Sequence, residues 1–220
     1  MSLNVSKGNM YEFVTHTWNA IKGKCPHDCS YCYMKRWGNL KDVRLDEKEL
    51  KTDLGTGNFI FVGSSCDMFA ADIPDEWILK TLNHCVLFKN KYLIKSKNPQ
   101  RIVDFYPLVG VVSPIVCTTI ETNRWYPDVM GKSPSIPSRV SGMRQLNKFE
   151  KFVTEEPIMD FDILELVEMI KSIEPTQVNI GADSGGNNLP EPSVGKIEQL
   201  KNELSKFTTV ANKRNIKRLL

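Results

Sequence analysis

Six short runs of apolar and β-branched residues recur along the chain, at 11–17, 58–63, 92–95, 114–121, 152–155 and 177–182. Between them apolar positions return every three or four residues, the spacing of one helical face. Runs with no polar alternate suit strands covered on both sides, so the pattern predicts six βα units around a parallel sheet.

Several helix starts are legible. In DIPDEW, Pro74 stands where a first turn has no use for a donor, and Ile78, Leu82, Cys85 and Val86 follow on one face. Asp162, with Glu165 three residues on, resembles a capping box ahead of Ile163, Leu166, Val167 and Ile170, and Pro175 closes that helix. Another helix is expected after Ser193, with Ile197, Leu200, Leu204 and Phe207 on one side. Residues 130–141, rich in Ser and Pro, are expected to form an irregular loop. In a parallel array the chemistry sits just beyond the C-terminal strand ends. That rule selects 25–33, 63–67, 95–98, 121–124, 155–156 and 183–186 before any motif is considered.

Composition narrows the class. The 220 residues, 41% hydrophobic and 25% charged, exclude disorder, collagen and coiled-coil arrays and fit one globular domain. No run approaches the ~18 apolar residues of a membrane span, and MSLNVSKGNMYEF lacks the apolar stretch of a signal peptide. A cytoplasmic protein with no membrane contact is expected. The formal net charge of +3 is too small to argue for a nucleic-acid partner. The terminal KRNIKRLL holds four cations and no acid, and the expected reading is a solvated or frayed end before a phosphate contact.

Of six cysteines, Cys25, Cys29 and Cys32 fall in one stretch, CPHDCSYC. In a reducing compartment such clustering points to metal or catalysis before disulfides. Three thiolates on a short loop can hold three irons of a cubane and leave the fourth open to a ligand. Zinc competes, since the same cysteines with His27 or His16 could make a tetrahedral site, although no second CxxC exists here.

The motif, with Tyr31 just before its third cysteine, resembles the cluster loop of the radical S-adenosylmethionine (radical SAM) superfamily, and CPHDCSYCY is especially similar to that of the spore photoproduct lyase family. IFVGSSCDMFAADIPDEWI, LIKSKNPQRI, TTIETN, TEEPIMDFD and NIGADSGG resemble, in order and spacing, a phage-associated branch of unassigned substrate. The resemblance covers nearly the whole chain. It implies an α/β fold, a partial (β/α)6 TIM-like barrel with parallel strands, as a single radical SAM domain over 1–220. It also implies a [4Fe-4S] cluster, S-adenosyl-L-methionine cleaved to a 5'-deoxyadenosyl radical, and an external flavodoxin-like or ferredoxin-like electron donor.

Residue roles follow from the same resemblance. Cys25, Cys29 and Cys32 would hold the cluster, and Tyr31 would pack near the adenine. Gly63, Ser64 and Ser65 occupy the place of the segment that receives the cofactor's ammonium; the Glu common there is absent, leaving backbone carbonyls or the serine hydroxyls. Lys95 matches a lysine that pairs with the cofactor carboxylate, and Arg139 is the rival for that role. Thr119 and Glu121 would accept from ribose hydroxyls, and Ala182 and Asp183, in GADSGG, would meet the adenine. Cys66 is the candidate hydrogen-atom donor, and Cys66, Asp67, Glu155, Glu156 and Asp183 are all expected at the barrel mouth. Cys85 and Cys117 read as core, and His84 as a surface or capping residue. Tyr33, Trp37, Trp125 and Tyr126 could stack a base or pack the rim. A nucleotide or nucleic acid is the preferred substrate class, with peptides and small molecules left open. The alternative function is a zinc-binding nucleic-acid interaction module built on the cysteine loop.

Overall fold

Strands form where the apolar runs lie, and the computed structural model describes them within residues 3–220. They are β1 (Asn4–Val5), β2 (His16–Trp18), β3 (Ile21–Lys22), β4 (Arg44–Leu45), β5 (Phe59–Val62), β6 (Lys91–Lys95), β7 (Ile115–Thr119), β8 (Lys151–Glu155), β9 (Gln177–Ile180) and β10 (Thr209–Asn212). The helices are α1 (Asp75–Val86), α2 (Pro99–Asp104), α3 (Tyr106–Val112), α4 (Pro127–Met130), α5 (Ile136–Gln145), α6 (Ile163–Lys171) and α7 (Val194–Leu204). The main sheet runs β1-β2-β5-β6-β7-β8-β9-β10, parallel from β2 to β10, with β1 antiparallel on one edge and a separate β3–β4 ribbon.

Spatial order follows chain order, and from β5 onward each crossover steps one strand on through one or two helices, which is the winding of a partial TIM-like α/β barrel. The pleat divides the strands' side chains between two cores. Phe61, Leu93, Cys117 and Phe152 point inward with Tyr11 and Val14, while Ile60, Ile94, Val116, Val153 and Val178 pack outward under the helices. The inner set closes the bottom of the barrel, and the space above it is left for chemistry. Among the described residues no helix is long and apolar enough to cross a membrane.

The structure departs from the sequence pattern in instructive places. The first run pairs only from His16; Tyr11 and Val14 instead plug the inner core, and the Tyr11 hydroxyl meets Thr154 Oγ1 at 2.7 Å. A seventh parallel strand, β10, was not expected, because its four residues, two of them polar, form no apolar run and lie partly exposed at the sheet edge. Half of the stretch expected to be loop is α5, started by Ser135, whose hydroxyl accepts from the Ser138 N–H, with Pro137 in the first turn. Asp162 makes no capping bond to α6, because Arg124 takes its carboxylate at 2.7 and 2.9 Å. Ser193 does cap α7, accepting from the Lys196 N–H. His84 is buried rather than at the surface, with Nε2 2.8 Å from the Thr52 carbonyl. The basic tail is folded back, not frayed: Lys213 is buried and Arg218 pairs with Glu191.

Candidate functional site

The strand ends and the cysteine loop enclose a cavity of 690 Å³. Of the residues the sequence nominated, Cys25, Cys29, Tyr31, Cys32, Gly63, Ser64, Ser65, Cys66, Lys95, Thr119, Ala182 and Asp183 line it, together with Asp67 and Glu156. Glu121, Arg139 and Glu155 do not.

Two anchors hold the cysteine loop. The first is the turn after α4, where the Ser30 N–H donates to the Val129 carbonyl, the Lys132 N–H to the His27 carbonyl, and the Cys29 thiol to the Met130 carbonyl at 3.3 Å. This approach requires Gly131, at φ +61°, since a Cβ there would stand 2.3 Å from the His27 carbonyl oxygen. The second anchor is Asp67, whose buried carboxylate receives His27 Nε2 at 2.8 Å, the Ser96 hydroxyl, and the Lys97 and Phe69 N–H groups. Burial alone would raise the Asp67 carboxyl; the His27 charge and these hydrogen bonds outweigh it and lower it.

All six cysteines are free. The neighbouring Cys66 draws Cys25 toward thiolate, while the same neighbour and burial push Cys66 up. The Lys97 ammonium stands 3.2 Å from Cys29 Sγ and 4.3 Å above the Tyr31 ring centroid. Among the described residues no three His, Cys, Asp or Glu side chains gather closely enough to hold a single metal ion. His27, one of the two histidines the zinc alternative would enlist, is committed to Asp67.

Behind Cys29 lies a charged knot. Glu121 is fully buried, with Oε1 bonded to the Tyr31 hydroxyl and 3.0 Å from Lys97 Nζ, and Oε2 2.7 Å from Arg139 Nη1. Burial pushes this carboxyl up, but Lys97, Arg139 and the Tyr31 hydroxyl hold it down to about 2. Arg139, fully buried, also donates to the Thr119 and Pro134 carbonyls and the Ser133 hydroxyl. Two expectations are therefore corrected. Glu121 has no oxygen facing a ribose, and Arg139 has no fork to offer a carboxylate, because each saturates the other behind the cavity wall. Replacing Arg139 with Met should cost about 3 kcal/mol in denaturant unfolding by stranding Glu121, and adding Glu121→Gln should recover part of the loss. A fall in S-adenosylmethionine affinity at unchanged stability would return Arg139 to its cofactor role.

The remaining placements are mixed. Thr119 lines the cavity, and its buried hydroxyl has no partner among the described residues. The Ser64 hydroxyl donates to Asn19 Oδ1, and the Ser64 carbonyl accepts from the Tyr33 hydroxyl. Asp183 spends its carboxylate on the backbone of its own turn, at Gly185 and Asn187. Tyr33 lines the cavity with Arg36 over its ring, and Trp37 and Trp125 are exposed. The sequence selected Lys97 only within the strand-end stretch 95–98 and Lys213 only within a basic tail that could touch phosphate, and it gave neither a place in the cavity.

No protein-family model matches the chain, and no curated protein matches it. Solved structures do. Spore photoproduct lyase complexed with dinucleoside spore photoproduct superposes with a TM-score of 0.56 at 11% identity, over 92% of this chain and 64% of that one. A variant of the same lyase with bound AdoMet and dinucleoside spore photoproduct gives 0.55 at 11% identity over 93% and 66%. A third spore photoproduct lyase structure gives 0.59 at 9% identity over 99% and 78%. The likeness is one of fold, and the chain spans about two thirds of the first two of these proteins.

Proposed function

We propose that this protein is a radical SAM enzyme that holds one [4Fe-4S] cluster on Cys25, Cys29 and Cys32 and cleaves S-adenosyl-L-methionine reductively. The observation that carries the reading is the position of the CPHDCSYC loop, clamped over the cavity at the C-terminal ends of a parallel sheet that shares the fold of spore photoproduct lyase, a radical SAM enzyme. The donor set suits the cluster. Its three thiols lie on one loop, one is drawn toward thiolate by Cys66, and another has an ammonium beside it, while their failure to converge on one point disfavours zinc.

When bound, cluster and cofactor together supply a 5'-deoxyadenosyl radical able to take hydrogen from an unactivated C–H bond. The chain's own residues bind, orient and exclude. Lys97, fixed between Glu121 and the Tyr31 ring, places a cation against Cys29. With Arg139 consumed, Lys95 is the strand-end cation left for the cofactor's carboxylate, since no ion pair or hydrogen bond engages its ammonium among the described residues. The orphaned Thr119 hydroxyl suits a ribose, and the Ala182–Asp183 backbone suits the adenine. Cys66, buried in the cavity lining, serves as the thiol that returns a hydrogen atom. The aromatic inner core seals the floor against water. An external flavodoxin-like or ferredoxin-like protein supplies the electron, and the substrate is a nucleotide or nucleic acid, the choice favoured by the cationic rim and by the neighbours' bound dinucleoside.

Anaerobic reconstitution followed by iron and sulfide analysis, then incubation with S-adenosylmethionine and dithionite, tests this. About four irons per chain and release of 5'-deoxyadenosine are expected. Bound zinc without that product would overturn the reading.

A further inference from the structure

The C-terminal segment contributes Lys213 to the cavity lining, and that part of the wall is engaged by none of the roles above except that of Lys95. Lys213, just after β10, is carried inward when its N–H donates to the Ile180 carbonyl at 2.8 Å, and its side chain is 7% exposed. Its ammonium lies 4.1 Å from the Tyr11 ring centroid, and the Lys95 ammonium lies 5.8 Å from the same centroid. Both lysines line the cavity.

One acid serves this end. Glu156 Oε2 is 2.9 Å from Lys213, while Glu156 Oε1 accepts from the Asn9 and Asn215 amides. Tyr11 and Cys117, the other titratable groups beneath the lysines, are pushed up by burial and stay neutral. Two ammoniums against one carboxylate leave one positive charge facing a half-open cavity, where protein replaces part of the water it would meet at a surface. Burial lowers the Lys213 ammonium, with Glu156 opposing, which is the condition of a cation short of one anionic partner. Lys7 and Arg36, which form no ion pair among the described residues, add charge of the same sign to the cavity lining.

We propose that Lys213 and Lys95, set against the Tyr11 ring, form a receptor for one oxyanion of a bound ligand. The C-terminal segment thus supplies a binding residue. Two ligands of the proposed function carry that chemistry, the carboxylate of S-adenosylmethionine and the phosphate of a nucleotide substrate. The inference rests on that function for the identity of the ligand, but the receptor itself rests on the two lysines. Lys95 is shared between the two readings, and the titration below separates the two anions.

The test is calorimetric titration of the reconstituted protein with thymidine 5'-monophosphate, with thymidine, and with S-adenosylmethionine. The monophosphate should bind at least tenfold more tightly than thymidine, and Lys213→Met and Lys95→Met should each erase about tenfold of that difference, with Lys213→Arg restoring it. Glu156→Gln, which frees Lys213, should tighten the monophosphate, so a reading of opposite sign survives if Lys213→Met fails to fold. If Lys213→Met instead weakens S-adenosylmethionine tenfold, the receptor stands and its anion is the cofactor's carboxylate. A monophosphate no tighter than thymidine, together with cofactor affinity unmoved by Lys213→Met, would overturn the proposal. The same preparation reports iron content and 5'-deoxyadenosine. Absence of both with phosphate-dependent binding intact removes the radical reading alone, while cleavage without any effect of Lys213 removes only the receptor.

Discussion

Alanine at Cys25, Cys29 or Cys32, one at a time, is expected to abolish cluster assembly and S-adenosylmethionine cleavage, whereas Cys85→Ala should leave both intact. The four thiols differ in surroundings. The three loop cysteines line the cavity, and each would ligate a different iron, so losing one leaves a cluster with two protein ligands. Cys85 is fully buried on α1, where burial pushes its thiol up to the point of inertness. Its replacement removes one buried sulfur and costs about 1–2 kcal/mol of stability, with no route to the iron. Iron and sulfide per chain and 5'-deoxyadenosine formed are the readouts. Equal losses in all four variants would mean that the loop cysteines act through folding, and the assignment would fall.

The contrast between these cysteines was readable before any coordinates, because spacing alone separates a loop cluster from scattered core thiols. The strand ends were equally readable, since apolar runs mark where a parallel strand stops and the chemistry begins. Partnership was not. Glu121 stands at a strand end with the right alternation for a ligand acceptor, yet its partner Arg139 comes from a helix hidden in a Ser- and Pro-rich stretch. Lys97 becomes significant only because the cysteine loop folds across to bring Cys29 within 3.2 Å. Lys213 follows β10, a short edge strand with no apolar run to announce it, so the sequence showed this lysine only as one cation of the basic tail. Local periodicity places elements, whereas charge pairing between distant segments decides which polar residues remain free to act.

Glu155 makes that limit measurable. The sequence places it at the mouth beside Glu156, but the two lie on opposite faces of the sheet. Thr154 faces Tyr11 in the inner core, and Glu155, one residue on, turns outward with both carboxylate oxygens buried and unpartnered among the described residues. Burial pushes this carboxyl from its ordinary 4.5 up to about 8. The folded protein therefore holds a proton that the unfolded chain has released. Its contribution to stability is complete below pH 4.5, falls as pH rises toward 8, and is gone once the folded carboxyl ionises. The loss across that window is about 5 kcal/mol, at 1.36 kcal/mol per unit of pH. Glu155→Gln keeps the shape without the charge. The variant should match the parent at pH 5 and exceed it at pH 8.5 by about 5 kcal/mol, roughly 10 °C in Tm for a chain of this length. A Tm difference that stays the same at both pH values would show that a partner or water already satisfies the carboxylate, and that Glu155 is ionised in the folded state throughout.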